Sequence, residues 1–252
     1  MKPRRPIPSW LLAAPFAHRG LHDEARPENS LAAAEAAVNA GFAIEVDLRL
    51  SADQVPVVFH DQDLQRLCAL PQALSELSAD ELAQCSLGGS GSTIPRLSEL
   101  LERVAGRAPL LLEIKNEGRP GRLEEETARL LSEYSGPVAL QSFNPLSVRA
   151  LRRLCPERPR GLLADRYRPE EAPVGPLRRW LLRHLLLARL CEPDFVAYRL
   201  EDLSLPPLGL ARLRRAGCPL LLWTIRDPQA RALALELGEN YIFEGRGTPE
   251  SP

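Results

Sequence analysis

Lysine is almost missing from this chain: of 32 basic residues only Lys2 and Lys115 are lysines, and the others are arginines. Lys115 therefore stands out as a place where the guanidinium used elsewhere has not replaced the ammonium. Net charge is nearly missing too. The 32 basic and 33 acidic residues leave −1 at pH 7, which excludes a global field that would draw in nucleic acid or an anionic membrane. No apolar run reaches the ~18 residues that a membrane-spanning helix requires. The five cysteines, Cys68, Cys85, Cys155, Cys191 and Cys218, are odd in number, widely spaced and without a C-x-x-C pair. That excludes a disulfide framework or a zinc knuckle and leaves packed free thiols. Several catalytic signatures are missing as well. The glycine-rich stretch 88–92 has no Gly-Lys-Ser/Thr behind it, and Gly245-x-Gly247 lacks the rest of a dinucleotide fingerprint. Neither G-x-S-x-G nor H-E-x-x-H occurs.

What is present is an ordinary globular composition, 44% hydrophobic and 26% charged over 252 residues, which excludes a disordered or collagen-like chain. The first 17 residues have the basic-then-apolar order of a leader, but Pro15 breaks the short apolar run. We read this segment as part of the folded body of a cytoplasmic protein. Along the chain, short apolar runs alternate with longer helical patterns. The runs at 15–18, 42–47, 109–114, 137–141, 160–163, 194–198, 219–224 and 241–243 read as strands buried on both faces. Helical patterns fall at 30–40, 97–104, 123–134, 145–154, 177–190, 208–216 and 228–237, several with a cap signal such as Asn29, Asn144 or Asp227-Pro228. This alternation predicts a TIM (β/α)8 barrel, with 62–96 as a small insertion in a single domain spanning 1–252. An open doubly wound sheet is the competing arrangement. Segments 48–50 and 55–59 break the alternation, because residues 51–54 are too short for a parallel crossover. They should pair antiparallel as a β-hairpin near the C-terminal mouth and bring His60-Asp61 back beside Asp47.

The chemistry of such a barrel sits at the C-terminal ends of its strands. Here those ends read His18-Arg19-Gly20, Glu45-Val46-Asp47, Glu113-Ile114-Lys115, Gln141-Ser142-Phe143, Trp223-Thr224 and Phe243-Glu244. Residues two apart on a strand share a face, so Glu45 with Asp47, and Glu113 with Lys115, should enter the mouth together. Converging buried carboxylates repel unless neutralised, and an all-oxygen set suits a hard cation, Mg²⁺ or Ca²⁺, better than zinc. His22, in a loop, and His184, in a helix, are read as outside the site. The Arg-rich pattern at 177–190, with Trp180 among leucines, fits either an outer barrel helix or a peripheral membrane contact.

Together these residues resemble the glycerophosphodiester phosphodiesterase family. The resemblance rests on His18-Arg19-Gly20, Pro27-Glu28-Asn29-Ser30, Glu45-Val46-Asp47-Leu48-Arg49, Val57-Val58-Phe59-His60-Asp61, Leu112-Glu113-Ile114-Lys115, Gln141-Ser142-Phe143 and Trp223-Thr224, in the family's order. It implies a metal-dependent phosphoric diester hydrolase acting on small-molecule phosphodiesters rather than nucleic acid, and releasing glycerol 3-phosphate. By the same resemblance Glu45, Asp47 and Glu113 hold one divalent cation, Mg²⁺ or Ca²⁺. His18 and His60 are the acid–base pair, and Arg19, Lys115 and Trp223 face the substrate. The chain departs from the family at Arg66-Leu67-Cys68-Ala69 (for Arg-x-Thr-Gly), Ile94-Pro95-Arg96-Leu97 (for Ile-Pro-Thr-Leu) and Phe243-Glu244-Gly245 (for Thr-Asp-Pro). These departures bear on which alcohol is accepted. Two other readings stay open: a phospholipase D-like enzyme on lysophospholipids, and a non-catalytic barrel that binds phosphorylated ligands.

Overall fold

The computed structural model describes residues 6–169 and 174–249. Nine strands form one sheet: β1 (Phe16–Ala17), β2 (Ala43–Leu50), β3 (Pro56–Val58), β4 (Leu110–Ile114), β5 (Val138–Ser142), β6 (Arg160–Ala164), β7 (Phe195–Arg199), β8 (Leu220–Ile225) and β9 (Asn240–Phe243). All but β3 are parallel neighbours in the order β1-β2-β4-β5-β6-β7-β8-β9. Pairing of β9 back onto β1 closes the ring into an eight-stranded barrel. The expected segments 42–47 and 48–50 are one continuous strand. Its last three residues, 48–50, pair antiparallel with β3, with Leu48 opposite Val58 and Leu50 opposite Pro56. The hairpin ends where the short connection requires: the Phe59 N–H donates to the Asp47 carbonyl at 3.0 Å.

Alternation along each strand divides the core in two. Outward residues such as Ile44, Val46, Leu48, Leu112 and Leu140 pack beneath the surrounding helices. Inward residues Phe16, Ala43, Leu111, Ala139, Leu163, Ala197, Leu221 and Ile242 fill the barrel floor. The described part of the leader-like segment, from Ile7 on, packs against that floor. Helix Trp10–Ala13 inserts Leu11 into it, and the Asn240 amide donates to the Leu11 and Ala14 carbonyls, both at 2.8 Å. The insertion has a small core of its own in which Phe59, Leu64, Leu74, Leu82, Leu87 and Ile94 meet.

Two local expectations change, and one departure from the family pattern acquires a backbone cost. Ser30, not Asn29, caps helix Leu31–Asn39: its side chain accepts from the Ala33 N–H, while Asn29 adopts φ 59° and turns its side chain elsewhere. The pattern at 177–190 is two helices, Pro176–Arg183 and Ala188–Cys191, because the chain turns through a left-handed Leu185 (φ 57°) between them. In the insertion, Ala69 adopts φ 54°, a left-handed conformation that costs a side-chain-bearing residue about 1 kcal/mol or more and glycine very little. Among the described residues no helix is long and apolar enough to cross a membrane.

Candidate active site

The inward face of each strand is apolar at the floor and polar one step further up. After Ala43 come Glu45 and Asp47, after Leu111 come Glu113 and Lys115, after Ala139 comes Gln141, after Ala197 comes Arg199, and after Phe16 comes His18. Register brings these steps to one level, since Asp47 lies opposite Glu113 and Glu113 opposite Gln141. The result is a cavity of about 220 Å³ lined by His18, Arg19, Glu45, His60, Glu113, Lys115, Gln141, Arg199, Trp223 and Thr224 among others. Asp47 lies just behind this wall, 1% exposed.

The three carboxylates meet. Glu45, Asp47 and Glu113 each present an oxygen, all within 4.8 Å of one another. Their surroundings differ. Asp47 is held by cations: Lys115 Nζ lies 3.1 Å from its Oδ1 and Arg19 Nε 3.3 Å from its Oδ2, while the Asn29 amide donates to Oδ2 at 2.9 Å. Burial works against its charge, but Lys115 and Arg19 outweigh it, and Asp47 is held far below the usual carboxylate range. Glu113 has Lys115 Nζ at 2.7 Å. Burial and the neighbouring Asp47 still leave its pKa raised. Glu45 has only weak neutral donors in reach, the Arg19 backbone N–H at 3.1 Å and the Gln141 amide at 3.5 Å. Burial, then Asp47 and Glu113, push Glu45 well above its ordinary value. Three buried carboxylates share the two cations Arg19 and Lys115, and Arg19 is engaged by Glu28 as well, so the cluster holds more acidic groups than cations to match them. An all-oxygen cluster in that condition fits a hard divalent cation.

Two imidazoles face this cluster, each backed by a carboxylate. His18 Nδ1 lies 2.6 Å from Glu244 Oε2, and His60 Nδ1 lies 2.6 Å from Asp61 Oδ1. A carboxylate on Nδ1 fixes the tautomer and leaves Nε2 to exchange protons. Burial lowers the pKa of both rings. The loop after β1 is fixed by Gly20, at φ 81°. A Cβ there would come within 2.8 Å of Ala33, so helix Leu31–Asn39 packs this closely only against glycine. Further out, Glu28 accepts from both Arg19 (2.6 Å) and Arg66 (2.7 Å), and Arg66 also donates to Asp61 at 2.7 Å. A continuous polar chain thus ties the insertion to His60.

Every expected site residue reaches the mouth: His18, His60, Arg19, Lys115, Trp223, Glu45, Asp47 and Glu113. Sequence reasoning left Glu244, Asp61, Arg66 and Arg199 without roles, and it read Asn29 as a helix cap rather than as a partner of Asp47. Glu244 and Arg199 were accessible to it, because each continues the inward face of its strand. The Arg199 guanidinium lies 4.9 Å from the centre of the Trp223 ring, which also meets Phe143 edge-on at 5.6 Å. Arg66 reaches the site only through the fold of the insertion. His22 lies at the rim, its Nε2 4.0 Å from Glu244 Oε2, while His184 sits away from the mouth against Trp180.

Residues 18–244 match the model of the glycerophosphoryl diester phosphodiesterase family. A Bacillus subtilis relative named for this activity is 28% identical over 237 residues, covering 90% of this chain and 92% of its own. A glycerophosphodiester phosphodiesterase of Caldanaerobacter subterraneus is 27% identical, over 90% of this chain and 92% of its own. Among solved structures, an Oleispira antarctica phosphodiesterase in complex with the product sn-glycerol-3-phosphate is similar at TM-score 0.75 and 25% identity, covering 92% of each chain.

Proposed function

The chain belongs to the glycerophosphoryl diester phosphodiesterase family and is a phosphoric diester hydrolase, and we propose that it converts glycerophosphodiesters to glycerol 3-phosphate and an alcohol with one divalent cation, Mg²⁺ or Ca²⁺. The observation that carries this reading is the pair of carboxylate-backed imidazoles facing a cluster of three carboxylates. Glu45, Asp47 and Glu113 would hold the cation, which when bound supplies charge to the phosphoryl oxygens. Arg19 and Lys115 bind the same anionic oxygens, and Trp223 with Phe143 provides an apolar wall for the glycerol carbons. His18, the more buried of the two imidazoles, accepts at Nε2 the proton of the attacking hydroxyl, whether of water or of the substrate's own glycerol. His60, at the hairpin end, gives a proton to the departing alcohol oxygen as its bond to phosphorus breaks. The net change consumes one water per diester. Glu244 and Asp61 hold the two rings in orientation.

None of the five cysteines is in a disulfide, which supports action in a reducing compartment, the cytoplasm. The whole length, 1–252, is read as one domain. Of the two other readings, a non-catalytic phosphate-binding barrel leaves the two histidine–carboxylate pairs without a use. A lysophospholipid enzyme would need the Trp180 helix as a membrane contact; vesicle co-sedimentation tests that. The direct test of the proposal is release of glycerol 3-phosphate from several glycerophosphodiesters, with and without added Mg²⁺ or Ca²⁺. Release that depends on the metal supports it, and no release from any of them contradicts it.

A further inference from the structure

A second cavity, of about 500 Å³, lies beside the first and shares Lys115 with it. Its wall carries Arg49, Lys115, Arg119 and Arg122, together with Gln62 and Asn116, and includes no carboxylate. Lys115 is already paired with Asp47 and Glu113 at the reacting centre, and in a chain whose acids and bases nearly balance, the three remaining arginines facing one groove are a local imbalance. The nearest acids leave part of that charge uncovered. Glu117, its side chain 67% exposed, lies 3.9 Å from Arg49 and accepts from Gln62. Arg122 pairs along its own helix with Glu125 and Glu126. Arg119 makes no ion pair among the described residues.

The groove is joined to the reacting centre at a defined point. Arg49 Nε donates to the His60 carbonyl at 2.6 Å, and Gln62 follows two residues after His60. If His60 protonates the departing oxygen, the alcohol lies on this side of the phosphorus. On that reading of the site, we infer that the groove holds the alcohol half of the diester and selects alcohols that carry an anionic group of their own, a phosphate or a carboxylate. Arg119 and Arg122 contact that group, Gln62 and Asn116 supply hydrogen bonds to neighbouring hydroxyls, and cationic alcohols are repelled. This goes beyond hydrolysis of glycerophosphodiesters as such, since it ranks them.

The test compares kcat/KM for three diesters sharing the glycerol 3-phosphate half: glycerophosphoinositol 4-phosphate (anionic alcohol), glycerophosphoinositol (neutral) and glycerophosphocholine (cationic). The expected order is anionic, neutral, cationic, with the first exceeding the last by about 10-fold or more at low salt and the gap narrowing as salt rises. Arg119→Ala should reduce the anionic-to-cationic ratio by about 5-fold, and Arg119→Glu should reduce it further. A wild-type ratio near or below one overturns the inference while leaving the hydrolase reading intact, and so does a ratio unchanged in both variants. No glycerol 3-phosphate from any of the three overturns the hydrolase reading itself.

Discussion

The floor and the mouth of this barrel are built on the same strand faces, two residues apart, and answer to opposite demands. At the floor, Leu11, Phe16, Leu111, Leu163, Leu221 and Ile242 interdigitate without a polar group, so each inward side chain adds to stability. At the mouth, Glu45, Glu113 and Asp47 are almost equally shielded from water, at 2%, 6% and 1% exposure, but they repel one another. Burial alone therefore says little about what a position contributes. Folding energy is gained at the floor and spent at the mouth, where a bound cation and a phosphate would relieve the repulsion among the carboxylates.

The largest expected effects break the mouth without touching the floor. Replacing His18 or His60 with Ala should cost about 10²–10⁴ in kcat, with the melting temperature nearly unchanged. Steady-state kinetics beside a thermal melt checks this, and near-normal turnover in His60→Ala would remove the acid–base assignment. The converse variant, Leu111→Ala, leaves a hole in the floor. It should cost about 2–5 kcal/mol in denaturant unfolding while the folded fraction keeps kcat within a few-fold.

A smaller effect separates repulsion from packing. Burial and neighbouring acids raise the pKa of Glu45, so its contribution to stability is present below the ordinary carboxylate pKa and lost as pH rises toward its folded value. Without metal, the melting temperature of Glu45→Gln should therefore gain on that of wild type as pH rises above about 4.5, since the two lowered imidazoles act equally on both proteins. At pH 7 the variant should melt about 3 °C or more higher, with little activity left. A variant less stable than wild type at pH 7 in chelator would show that Glu45 is not under repulsion. Smallest of all, Ser30→Ala removes the cap of helix Leu31–Asn39 and should cost about 1 kcal/mol in equilibrium unfolding, leaving KM and kcat unaltered.

The same contrast governs how far the sequence could be read. The floor and the ring of strands follow from local apolar runs, and the hairpin follows from the shortness of 51–54, so the topology was legible. The acidic cluster was legible because Glu45 with Asp47 obeys the two-residue period. The segment 177–190 was not, because the left-handed Leu185 that divides it carries no sequence signal. Nor was the Ser30 cap, since Asn29 is an equally good capping residue by type and only the distant Asp47 draws it away. Arg66 was out of reach for a related reason: its partners Glu28 and Asp61 lie on separate loops that only the folded insertion brings together.

On the proposed reading, one divalent cation shared among Glu45, Asp47 and Glu113 would complete the mouth. The most direct test is the melting temperature of chelator-treated protein as Mg²⁺ or Ca²⁺ is added back, in wild type and in Asp47→Asn, with glycerol 3-phosphate release followed in parallel. In wild type a rise of several degrees that saturates together with recovered activity is expected, and in Asp47→Asn neither change. Full activity in excess chelator, with a melting temperature indifferent to both ions, would contradict it.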